Sequence, residues 1–80
     1  MDYLKKIEEV IIRLEKHGYF NQARQITSLR DAASVSSELL LSVTHELLKL
    51  VNTDINVKNL IGESVLELKD FCWSIGLQVK

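Results

Sequence analysis

The sequence predicts an all-α protein, a compact antiparallel bundle of four helices. Three observations predict it. From Leu39 to Val51 the chain reads LLLSVTHELLKLV, thirteen residues of which eight are Leu or Val, and at about 100° per residue these cover roughly 200° of a helix. A helix so apolar must be covered on both flanks by other helices, which puts this segment at the centre of the bundle. The 80 residues contain no Pro and three Gly, as long helices joined by short turns require. The remaining apolar residues recur three and four apart, in runs divided by short polar or Gly-containing turns.

Helix one is expected over about 2–17, with Leu4, Ile7, Val10, Ile11 and Leu14 inward and Ile12 alone on the polar back. Lys16 and His17 meet the negative end of the helix dipole, and Gly18 can take the left-handed conformation that stops a helix. Tyr19 and Phe20 follow, placed to plug the end of the bundle. Helix two, about 20–33, starts at Gly18, Tyr19 or Asn21. It carries a thin stripe of Ala23, Ile26, Leu29, Arg30 and Ala33, suited to close packing.

Helix three is expected over about 37–51, capped by Ser34 or Ser36, with Glu38 favouring its first turn. Its water-facing strip is Ser42, His45, Glu46 and Lys49. Asn52-Thr53-Asp54 ends it. Helix four then runs over about 56–75, with Asp54 as an alternative cap. Its stripe is Val57, Ile61, Val65, Leu68, Phe71, Cys72 and Ile75. Gly76-Leu77 matches a Schellman ending with Leu77 folding back toward Cys72. Gly62 lowers helix propensity by about 1 kcal/mol and is a candidate break.

Composition narrows function. Eighty residues form one domain, 1–80, too short for a core and a deep private cleft together. Ten basic and eleven acidic residues give a formal net charge of −1 with no basic cluster, which argues against nucleic-acid binding. One cysteine, Cys72, fits a reducing compartment and reads as a buried, unreactive thiol. The apolar runs are too short for a bilayer, and no signal-peptide core opens the chain, so a cytoplasmic location is expected. No His-x-x-x-His or Glu-x-x-His spacing offers a metal site, no nucleophile motif surrounds the serines, and no cofactor motif is present. An enzyme is therefore not expected.

One surface is more informative. Leu66 and Trp73 stand two turns apart on the side of helix four opposite its core stripe, below Gly62, with Glu63, Glu67 and Asp70 beside them. A single tryptophan flanked by acids is the usual make-up of a protein interface, where Trp is enriched among energetic anchors. The alternative is that another segment of the chain covers it.

The run Leu14-Glu15-Lys16-His17-Gly18-Tyr19-Phe20-Asn21-Gln22-Ala23, then Ser36-Ser37-Glu38-Leu39-Leu40 and His45-Glu46-Leu47, resembles small helical immunity proteins of bacterial contact-dependent and polymorphic toxin systems. The resemblance covers about residues 10–50. It implies a cytoplasmic, non-enzymatic binder that neutralises a cognate toxin by occluding its active or another essential surface. Residues that face the toxin vary in such families, so none carries over by position. On the residues alone, the expected interface is Glu63, Leu66, Glu67, Asp70 and Trp73, with the acids meeting basic groups. Two other readings stand beside it: a homodimeric adaptor or scaffold, and a small DNA-binding regulator using helix three, whose water-facing strip offers only one lysine.

Overall fold

The computed structural model describes residues 2–77. They form α1 (Tyr3–Lys16), α2 (Phe20–Ala32), α3 (Ser36–Thr53) and α4 (Ile55–Ser74). Each helix packs on the next, and α4 returns to α1, closing a ring around one core. Contacts between opposite ends show the antiparallel order. The α1 side chains Lys6 and Arg13 reach Glu67 and Leu60 of α4, and Thr44, midway along α3, meets Cys72 near the end of α4. The molecule measures 32 × 22 × 20 Å, its long dimension close to the ~30 Å of a 20-residue helix.

The turns follow from a few residues. Asp2 caps α1 by accepting the Lys5 amide at 3.2 Å. Gly18, at φ +84°, ends the helix in a Schellman turn, with the Tyr19 amide donating to the Leu14 carbonyl at 2.9 Å. Gly76 repeats the arrangement after α4: its φ is also +84°, and the Leu77 amide donates to the Cys72 carbonyl at 2.8 Å. Asp54 alone separates α3 from α4. Its amide donates to Leu50 while its carboxylate accepts the amides of Asn56 and Val57, so the two longest helices form a tight hairpin.

The core contains Ile7, Val10, Ile11 and Leu14 of α1, Ala23 and Ile26 of α2, and Leu40, Val43, Leu47 and Val51 of α3. From α4 it takes Val57, Ile61, Val65, Leu68 and Cys72. Segment 39–51 is covered on both flanks, as expected, and within it only His45 and Lys49 are exposed. α3 is flanked by α2 and α4, with Leu39, Leu48 and Leu50 half-buried at its edges, but α4 buries its inner face as fully. Thr44 is also fully buried, and its hydroxyl accepts from the Cys72 thiol across 3.8 Å.

Several expectations need correction. Leu4 is half-exposed, because the α1 stripe extends back four residues from Ile7 to Tyr3, whose ring stacks on Phe71 at 5.7 Å. Ile75 lies beyond the last turn of α4, at its C-cap, and is exposed, while Leu77 packs on the core. Tyr19 packs against the core, but Phe20 points into solvent. The serines do not cap α3. The extended cap residue is Val35, and Ser34 and Ser36 fall one position to either side. Ala33 lies just outside α2, and Gly62 does not break α4.

Candidate functional site

The outer face of α4 is presented by a helix held at both ends, by the Asp54 cap and by the Gly76 turn. The inner stripe of Val57, Ile61, Val65, Leu68 and Cys72 sets its rotation. With that stripe inward, the periodicity turns Ile55, Leu66 and Trp73 out together, within about 40° of one another and of Gly62. Leu66 is 57% and Trp73 56% exposed. No segment among the described residues covers either one, so the pair forms an apolar ridge along the helix.

The charged residues expected beside the ridge part company. Glu67 points to the α1 side and joins the Lys6 ammonium at 2.7 Å. That hydrogen bond raises the Lys6 pKa above its ordinary value; desolvation opposes it, and the carboxylate charges of Glu67 and Glu9 add smaller contributions in the same upward direction. Glu63 and Asp70 are exposed and have no ion-pair partner among the described residues. The structure therefore brings Glu63, Leu66, Asp70 and Trp73 onto one surface, with Glu67 at its edge and engaged within the fold.

On the other side of the ridge a shallow groove of about 600 Å³ runs between α3 and α4. Leu48, Val51, Gly62, Val65 and Leu66 line it, with Lys58, Glu63 and Lys69 among its polar residues. A Cβ built on Gly62 would meet only the Lys58 side chain, at 3.5 Å, so the glycine leaves the groove locally open. The two lysines, Ile55 and Leu48 were not part of the expected interface. The signal for the α4 residues was present in their spacing from Leu66 and Trp73, whereas Leu48 joins the face only through the α3–α4 hairpin.

A second groove, about 660 Å³, lies between α2 and α3 and is lined by residues that include Arg24, Gln25, Ser28, Leu29 and Glu46. It is slightly larger, but none of its lining residues is an exposed large apolar side chain, so it lacks the anchors that carry interface energy.

The remaining reactive residues are dispersed. His17 caps the end of α1 and His45 lies on the exposed side of α3. Cys72 is fully buried beside Thr44. Among the described residues no group of three or more His, Cys, Asp or Glu side chains is placed to hold a metal ion. No helix among them is long and apolar enough to cross a membrane. No family model, curated protein or solved structure matches the chain.

Proposed function

We propose that this chain is a non-enzymatic binding module that recognises a protein through the outer face of α4 and the adjoining α3–α4 groove. The observation that carries the reading is the exposed ridge of Leu66 and Trp73 beside an apolar-floored groove on a firmly capped helix. Large apolar side chains grouped on a surface gain free energy when a partner removes them from water. A rigid helix adds little ordering cost on binding.

The resemblance in residues 10–50 supports a more specific form of the proposal. The partner is a cognate bacterial toxin, and the chain acts as its immunity protein in the cytoplasm by covering an active or otherwise essential surface. Occlusion of this kind requires only shape, apolar anchors and charges that orient the encounter. Both signs are present on the α4 face and the net charge is −1. Affinity on this reading comes chiefly from Leu66 and Trp73, while Glu63 and Asp70 steer association toward basic groups on the toxin.

The test is protection. Cells expressing the product of the adjacent gene should grow when this chain is co-expressed, and the two proteins should co-purify as a complex. Protection should be lost with Trp73→Ala and retained with Phe20→Ala, a similarly exposed aromatic on α2. Protection that survives Trp73→Ala would remove the α4 face from the account. A neighbouring gene product that is harmless and does not bind would remove the immunity reading.

A further inference from the structure

We propose that the outer face of α4 also pairs two copies of this chain, side by side and parallel, about a two-fold axis along the helix. The inference rests on the reading of this face as a recognition surface and adds a second occupant that competes for it. Outside the core stripe, Ile55, Asn59, Gly62, Leu66, Lys69 and Trp73 recur at alternating steps of four and three residues. That is the spacing of a seam along which one helix meets another. All six are exposed or half-exposed. Lys58 flanks the seam on the α3 side. By helix periodicity Glu63 and Asp70 stand on the other side of the seam, the side of Glu67, while the Glu63 side chain also borders the α3–α4 groove. None of these three flanking residues has an ion-pair partner among the described residues.

The charges select both the occupant and its direction. A helix face with a basic edge and an acidic edge is complementary to itself when the copies run parallel, because the two-fold axis lays each basic edge on the other's acidic edge. Lys58 of one copy then meets Glu63 of the other, five residues further along, and the symmetry gives this pair twice. Ion pairs at such flanking positions set partner choice and orientation in paired helices. An antiparallel arrangement would instead set Glu63 against its own copy. Along the seam, Ile55, Leu66 and Trp73 form apolar layers with their counterparts, and Asn59 can hydrogen-bond its own copy, a device that specifies register. Gly62 and Lys69 contribute little apolar contact at their layers, which keeps the pair weak and dissociable by a better partner.

Sedimentation equilibrium of the whole chain, from about 1 μM to about 1 mM, tests this directly. The mass should rise from monomer to dimer. Leu66→Ala and Trp73→Ala should each raise the dissociation constant by about tenfold or more. K58E and E63K should each weaken pairing about fivefold, the scale of two exposed ion pairs, and the double variant should restore it. Thermal melts check that each variant stays folded, as expected for side chains outside the core. A monomer throughout the range overturns the proposal, and so does a dimer indifferent to Trp73. Failure of the double variant to recover overturns the parallel arrangement. Absence of pairing with Trp73-dependent protection intact would remove this inference alone. Pairing without such protection would remove only the toxin reading.

Discussion

Lys6 and Glu67 meet at 2.7 Å across the junction of α1 and α4, so the acid that lies at the edge of the apolar ridge belongs to the fold. Replacing Glu67 with Gln should leave partner recognition unchanged and lower thermal stability slightly, since the pair is solvent-exposed. The pH dependence has a definite sign. The bond raises the Lys6 pKa above 10.5, so its stabilisation is fully present below that value. It is lost as pH rises through the higher folded-state value. Melting curves of the wild type and the Gln variant should differ at neutral pH and converge in strong alkali. A gap that widens above about pH 11 would contradict this role for Lys6.

The corrected core stripes predict a contrast between leucines. Leu47 is fully buried, and its replacement with Ala should destabilise the chain by about 2–5 kcal/mol, a large share of what an 80-residue domain commonly has. Leu4→Ala and Ile75→Ala should each fall within about 1 kcal/mol of the wild type, because both side chains are about half-exposed. Denaturant titration decides it. A large loss for Leu4 would put it back in the core at the expense of Tyr3.

Gly62 lies within the continuous helix α4, and a Cβ there would make only an ordinary contact with Lys58. Gly62→Ala should therefore stabilise the chain by about 0.5–1 kcal/mol, by limiting the unfolded chain and favouring helix. The comparison belongs at a protein concentration low enough to keep the chain monomeric. A destabilised variant would show that the groove wall cannot accept a methyl group.

Much of this architecture was legible in residue spacing. Apolar periodicity located all four helices, and Gly18, Asp54 and Gly76 marked their turns because each has one conformational or capping task. The errors lay where the helical period meets an end. Tyr3 rather than Leu4 continues the α1 stripe, since the difference depends on the facing Phe71 ring, which no local pattern shows. Val35 caps α3 without a side-chain bond although serines stand on either side, so tertiary packing of the leucine face outweighs local capping there. The outward position of Leu66 and Trp73 followed from the core stripe of α4. The partition of the acids did not, because the link of Glu67 to Lys6 crosses between the first helix and the last. The groove beside Gly62 likewise needs α3 and α4 together.

The central claim, that the outer face of α4 recognises a protein, is tested most directly by the Trp73→Ala variant, measured for thermal unfolding and for binding to the proposed partner in parallel. The account predicts a melting temperature close to that of the wild type, with binding weakened by about 2 kcal/mol or more, the scale of an interface hot spot. A large fall in melting temperature, with binding reduced only in proportion to the unfolded fraction, would contradict it by placing Trp73 in the support of the fold. Unchanged stability with unchanged affinity would contradict it equally, leaving the tryptophan exposed and without a role in recognition.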